Sequence, residues 1–172
     1  MRRLFSVLGI VFSSIAHSMT PGLETTAEKT NYRKTGQYEE VIRLCNGFKK
    51  AYQKAVDCIE FGRTPENRPM LAFIATHSGA KNAQSAKIKK LPVILIQGGI
   101  HAGEIDGKDA GFIALHDVLK TPADKSWLKN QVVIFVPVFN IDGHERFAAW
   151  NRPNQNGPEE MGWRTTAQNY NL

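Results

Sequence analysis

The apolar, β-branched run Val93–Ile96 sets the strongest limit on how this 172-residue chain can fold. Four successive apolar residues leave no polar face, which suits a strand covered on both sides, as in the parallel sheets of α/β proteins. Gly98-Gly99 then interrupts the ladder. From about Gly107 onward, Phe112, Ile113, His116 and Leu119 recur at three- and four-residue intervals, the spacing of one helix face packed on a sheet. A strand, a short loop and a helix therefore follow one another. His101 and Glu104 fall in the loop, at the carboxyl end of the strand, where open α/β sheets place their ligands.

Imidazole and carboxylate are both good zinc ligands, and a short loop presents two of them at one point if Gly103 lets the backbone bend sharply. An H-x-x-E spacing alone arises often by chance. Gly-Gly before it, the strand upstream and the amphipathic helix downstream single this one out, so His101 and Glu104 are expected metal ligands.

The flanking sequence reads as scaffold. A helix is expected from about Gln37 to Gln53, with Thr35 capping its first turn. Val56 to Gly62 and Met70 to Thr76 read as two strands of a hairpin, joined by the turn-rich stretch Arg63 to Pro69. His77 to Lys90 reads as a loop, with His77 at the surface. Thr121 and Pro122 look like the cap and first position of a short helix through Trp127 and Leu128. QVVIFVPVFN, after Asn130, is a second buried strand, in which Pro137 prevents pairing on one side near the end. Asn140 to Gly143 reads as a turn, and His144 beside it as a surface residue or, at most, an indirect contributor to a site.

Taken together, GGIHAGEIDGKDA, PVFNIDGHERF and GWRTTAQNYNL resemble, in that order, the N-terminal half of the catalytic domain of the zinc metallocarboxypeptidases, the M14 peptidase family, and especially its bacterial members. IEFGRTPENRPMLAFIAT resembles the family's opening hairpin, and the likeness runs from about Thr35 to the last residue. The resemblance implies a three-layer α/β/α fold with a mixed, mostly buried sheet, the phosphorylase/hydrolase-like carboxypeptidase fold. It implies zinc as cofactor, peptides as substrates and hydrolysis of the C-terminal peptide bond by zinc-activated water.

Residue by residue, the resemblance places Arg164 of the Trp163-Arg164 pair at the scissile carbonyl. An always-charged fork of donors suits a developing oxyanion. Asn171 matches a position where many members carry an acid that supports the first histidine ligand; an amide oxygen accepts the same hydrogen bond with less charge. NIDG stands where the family commonly has N-P-D-G, and its expected job is loop geometry. The family's third zinc ligand, its carboxylate-reading Asn-Arg pair, its tyrosine and its general-base glutamate all come from positions beyond those matched here. No histidine follows His144. The resemblance therefore implies a truncated fold, roughly the first half of a domain, inactive by itself and prone to aggregate through an uncovered strand.

The N-terminus has a separate character. Arg2 and Arg3, an apolar run of about a dozen residues and the small-x-small Ala16-His17-Ser18 have the layout of a secretory signal peptide. The run is too short for an ordinary membrane span. The expected organisation is a signal peptide over residues 1–18, a polar arm over 19–34 and a partial catalytic domain over 35–172. Export to the periplasm or medium follows, with no stable membrane insertion after cleavage. The formal charge of +6 falls to +4 once Arg2 and Arg3 leave. The dense basic cluster Lys81 to Lys90 lacks interleaved aromatics, which argues against nucleic-acid binding. Cys45 lies on the helical stripe of Tyr38, Val41, Ile42, Phe48 and Tyr52 and reads most simply as a small buried hydrophobe, with pairing to Cys58 left open. Two thiols rule out a structural zinc site built on cysteine.

Two other readings share these residues. Zinc amidohydrolases of the aspartoacylase/succinylglutamate desuccinylase type also carry the H-x-x-E loop, although Arg164 in its W-R context and the GRTPENRP hairpin weigh against them. A non-catalytic fragment is the remaining possibility.

Overall fold

The computed structural model describes residues 22–172, so the expected signal peptide over 1–18 lies outside the described residues. The arm that follows is more ordered than its lack of periodicity suggests. Thr25 and Glu28 form a capping box around a one-turn helix, α1 (Thr26–Lys29). Leu23 is buried, and the Thr26 N–H and hydroxyl donate to Glu40 Oε1 at 2.5 and 2.8 Å.

The long helix α2 (Tyr38–Ala51) appears within a residue or two of its expected limits, but Thr35 does not cap it. Instead Glu145 Oε1, far along the chain, accepts from the Tyr38 N–H at 2.7 Å. A carboxylate there meets both an orphan donor and the positive end of the helix. Thr35 donates to Asp109 Oδ2 at 2.7 Å. No local motif in the sequence could reveal that exchange of partners.

The hairpin is formed by β1 (Val56–Arg63) and β2 (Pro69–Ala75), antiparallel, with a bulge between Glu60 and Gly62. A short helix α3 (Ala83–Ile88), opened by an Asn82 cap, occupies what reads as a loop. Then come β3 (Val93–Gln97), α4 (Asp106–Lys120), β4 (Val132–Val136) and a one-turn helix α5 (Ile141–His144). Thr121-Pro122 does not start a helix. The single 3₁₀ turn before β4 runs Trp127–Asn130 and is capped by Ser126.

The sheet order is β1-β2-β4-β3, with β2 antiparallel and β3 parallel to β4. Helices α2 and α4 cover one face. Phe48, Phe112, Phe73 and Phe135 meet there with ring centroids 5.2 to 6.2 Å apart, near the optimum for aromatic pairs. On the other face, Ala80 and Ala86 pack with Val132, Ile74 and Leu91. This is the expected mixed α/β architecture.

Two further local expectations change. Cys45 and Cys58 form a disulfide between α2 and β1, with Cα atoms 5.7 Å apart, so Cys45 is more than a buried hydrophobe. And β3, read from its apolar run as covered on both faces, is exposed along all five residues. The reason is position. β3 is the sheet's edge, paired only with β4. Val93, Ile94, Leu95 and Ile96 are each at least two-fifths exposed. No described helix is long and apolar enough to cross a membrane.

Two predictions follow from these features. An unpaired apolar edge invites association with another strand, and Leu95 lies at its centre, so Leu95→Lys should reduce self-association in sedimentation velocity and lower dye binding to exposed apolar surface. Its stability should change by no more than about 0.5 kcal/mol; a wild-type chain that is monomeric and dye-silent would contradict this.

His116 is buried between Phe48 and Tyr52 with its Nε2 unpartnered. Burial first, and then Lys120, pushes its pKa below the ordinary 6.5. On acidification the unfolded chain takes up that proton before the folded one, so stability is full above about 6.5 and declines as pH falls below it. His116→Phe should flatten the decline of Tm between about pH 6.5 and 5; an unchanged slope would count against it.

Candidate functional site

β3 and β4 run in parallel, so their carboxyl ends, paired at Gln97 and Val136, open on the same side of the sheet. The hydrogen bonding continues beyond the strands. The Gly98 N–H donates to Val136 O at 2.8 Å, the Phe139 N–H to Gly98 O at 3.0 Å and the Asn140 N–H to Gly99 O at 2.9 Å. Pro137, unable to donate, falls between these bonds and ends the regular ladder.

Glycine is required in this corner for two different reasons. Gly99 has φ +58°, and a Cβ there would lie 3.0 Å from Val138 Cα, so the turn itself depends on it. Gly103 does not have a positive φ and is not the bend expected from sequence. It provides room: a Cβ would lie 2.5 Å from Gly162 O and 3.1 Å from Arg152 Cγ.

Past the glycines, the Glu104 N–H donates to His101 O at 2.9 Å and closes a tight turn. That turn brings the two side chains together, with His101 Nδ1 3.2 Å from Glu104 Oε1. Both face solvent, the histidine about a quarter exposed and the glutamate about half. The Arg152 guanidinium, donating to Glu104 Oε1 at 3.0 Å, holds the glutamate carboxyl below the usual carboxylate range, and His101 adds to the effect.

The NIDG turn supplies the opposite wall. Asn140 caps α5 by accepting from the Gly143 N–H at 3.1 Å, while its amide donates to Arg164 O at 3.3 Å. The Trp163 N–H donates to Gly143 O at 2.8 Å. Arg164 is thus held at its own carbonyl and through the N–H of the residue before it. Its Nη2 lies 3.0 Å from His101 Nε2 and its Nη1 3.6 Å from Glu104 Oε1. Asn171 reaches this group through the arginine, its Oδ1 accepting from Arg164 Nε at 3.0 Å, and makes no hydrogen bond to His101. His101 Nε2 also lies 3.1 Å from Leu172 O. The fold therefore gathers His101, Glu104, Arg164, Asn171 and the carbonyl of Leu172 from segments up to 71 residues apart in sequence.

An imidazole nitrogen and a carboxylate oxygen at this separation are a donor set suited to two coordination positions of zinc. Among the described residues no third His, Cys, Asp or Glu joins them.

Several contributors escape a reading of the sequence. Asp142, buried within NIDG, accepts from Thr64 Oγ1 and Arg68 Nη1, both at 2.7 Å, and from the Glu66 N–H at 3.2 Å. It clamps the β1–β2 connection onto the site loop, which joins the motifs GRTPENRP and NIDG in one device. His144 is not at the surface. It is buried, with Nδ1 3.1 Å from Glu145 Oε1 and Nε2 unpartnered, and burial pushes its pKa down against the pull of Glu145. In the first turn of α4, the buried Lys108 Nζ lies 3.3 Å from Glu40 Oε2 and 2.5 Å from Asp109 Oδ1. Only Asp142 carried a signal, since its motif stood out; its partners are 74 to 78 residues away.

The zinc carboxypeptidase (peptidase M14) family model matches residues 41–172. No curated protein matches the chain in sequence. Among solved structures, the carboxypeptidase A of Helicoverpa armigera superposes with a TM-score of 0.56 at 20% identity, covering 78% of this chain and 29% of that one. Bovine thrombin-activatable fibrinolysis inhibitor, solved with a tick carboxypeptidase inhibitor, gives 0.55 at 19% identity, covering 79% and 38%. A Shewanella denitrificans OS-217 protein assigned as a carboxypeptidase A gives 0.56 at 20% identity, covering 78% and 30%. The chain thus spans 29% to 38% of the length of these structures.

The clamp yields a prediction. Asp142→Asn removes the charge that Arg68 pairs with while keeping the side chain's shape. Because Arg68 is one-third exposed, the loss should fall below that of a fully buried pair, at about 2 kcal/mol, or a Tm drop of roughly 4–8 °C. Thermal unfolding of the two chains checks it, and an unchanged Tm would contradict it.

Proposed function

Because the chain belongs to the zinc carboxypeptidase (peptidase M14) family, we propose that it carries part of the site of an exported zinc-dependent metallocarboxypeptidase, a hydrolase that cleaves C-terminal peptide bonds. The observation that carries this reading is the approach of His101 Nδ1 to Glu104 Oε1 at 3.2 Å beside the Arg164 guanidinium, at the carboxyl ends of two parallel strands. His101 and Glu104 would be two of the metal's protein ligands.

When bound, zinc in such a site supplies Lewis acidity, polarising a carbonyl and acidifying a water toward a pKa of about 7. The chain's own residues have distinct parts. His101 offers a ring nitrogen and Glu104 an oxygen of a carboxyl that the Arg152 guanidinium holds below the usual carboxylate range. Arg164, turned by Asn171 at Nε, has its two Nη groups toward the ligand pair, from where it can donate to an oxygen that gains negative charge. Asn171 is a positioning residue for Arg164. The substrate is a peptide presented by its C-terminal end.

Export has its own support. The Cys45–Cys58 disulfide is of a kind that persists in oxidising compartments, and the signal-like residues 1–18 agree with it in sequence. Periplasmic or secreted localisation is the reading we adopt, with a signal peptide over 1–18, an arm over 19–34 and catalytic-domain sequence over 35–172.

The test is a zinc titration of the chain against the double variant His101→Ala/Glu104→Ala, followed by equilibrium dialysis or calorimetry. The wild-type chain should bind one zinc weakly and release it to modest chelation, because two protein donors hold less than three. The double variant should bind none at that site. Equal uptake by both would remove the metal reading. The described residues furnish only two donors, so this chain should not hydrolyse peptides by itself, and chelator-sensitive turnover would contradict that.

A further inference from the structure

A second guanidinium belongs to this corner. Arg152 lies in the long segment between Phe147 and Met161, yet its side chain is only 11% exposed. The segment around it is tied down. The Asn151 amide donates to Arg146 O and Met161 O at 2.6 and 2.8 Å, and the Ala148 N–H donates to Met161 O at 3.2 Å. The Arg152 stem packs on Gly103, whose missing side chain leaves it room: a Cβ there would lie 3.1 and 3.2 Å from Arg152 Cγ and Cδ. Nη2 donates to Glu104 Oε1 at 3.0 Å, while Nη1 is buried without a partner.

An arginine enclosed this way, with one donor unsatisfied, is costly, and its pairing with Glu104 is the return the structure offers. One oxygen of Glu104 is engaged: Oε1 accepts from Arg152, with Arg164 and His101 Nδ1 also close to it. Oε2 is engaged by none of them.

We propose that Arg152 is a positioning residue for the metal-ligand pair: packed on Gly103, it holds Glu104 by Oε1 so that Oε2 is presented to the cation. The proposal rests on the zinc reading of His101 and Glu104. A fixed cation close to a metal site by itself repels the metal, so the positioning effect must exceed that repulsion. In metal sites the loss of a group that orients a ligand costs about 10–100-fold in metal affinity.

The test compares zinc affinity of the full chain with that of Arg152→Met, which keeps the stem and removes the fork, and Arg152→Lys, which keeps the charge and one donor. Equilibrium dialysis gives the affinity, and thermal unfolding in the presence of chelator reports on the scaffold. Arg152→Met should bind zinc roughly 10–100-fold more weakly, with Arg152→Lys in between and with metal-free Tm values of wild type and Arg152→Lys alike. Unchanged or tighter binding by Arg152→Met overturns the proposal and leaves the zinc reading intact. If Arg152→Met does not fold, Arg152→Lys decides alone: weaker binding at unchanged Tm supports positioning, and wild-type affinity overturns it. A wild-type chain that takes up no zinc overturns the metal reading and this proposal together.

Discussion

The parallel pairing of β3 with β4 is the constraint on which the rest depends. It brings two loops, 98–105 and 137–140, to the same side of the sheet, and three backbone hydrogen bonds then join those loops beyond the ends of the strands. A one-residue slip of β3 against β4 would flip the side chains of β3 to the opposite face, while β4 stays held by β2, which pairs Phe73 with Phe135. It would also separate Gly98 and Gly99 from their acceptors and donors. The β3–β4 pairing therefore fixes the geometry of the corner, and the β2–β4 pairing keeps Phe135 among the four phenylalanine rings, so β4 ties the two solvent-facing side chains to the core.

Around that corner the chain uses polar contacts of long sequence range. Asp142 fastens the hairpin connection, Glu145 caps the helix that closes the core, and Thr35 and Lys108 bind the arm and α2 to the start of α4. Each is a charged or hydrogen-bonded group with little exposure. Such groups gain little net stability over apolar packing, but losing one partner is expensive, so they favour a single arrangement over near alternatives. The elements they restrain are those that end at the site: α4 follows Glu104, and α5 precedes the segment that leads to Arg164.

How much of this was legible follows from the range of each interaction. The helices α2 and α4, the hairpin and the two apolar strands were readable because periodicity and turn chemistry are local. His101 and Glu104 were readable because three residues separate them and glycines frame them. The cap of α2 was not, since Thr35 has the right chemistry at the right place and the fold gives it a different partner 74 residues away. β3 misled for a different reason: its composition records an apolar strand, but exposure depends on neighbours, and at the edge of this sheet there is one. His144 and Arg152 were opaque because burial of a polar residue in a loop-rich stretch leaves no periodic trace. Gly103 was noticed for the wrong property, flexibility instead of the space it leaves for Arg152.

The central claim is that the paired carboxyl ends of β3 and β4 give one cation an imidazole nitrogen and a carboxylate oxygen simultaneously. X-ray absorption at the zinc edge on the loaded chain tests it most directly. The account predicts a first shell containing one imidazole nitrogen and one carboxylate oxygen at about 2.0–2.2 Å, both lost in the His101→Ala/Glu104→Ala chain. A first shell of water alone, or one unchanged by that double substitution, would contradict it.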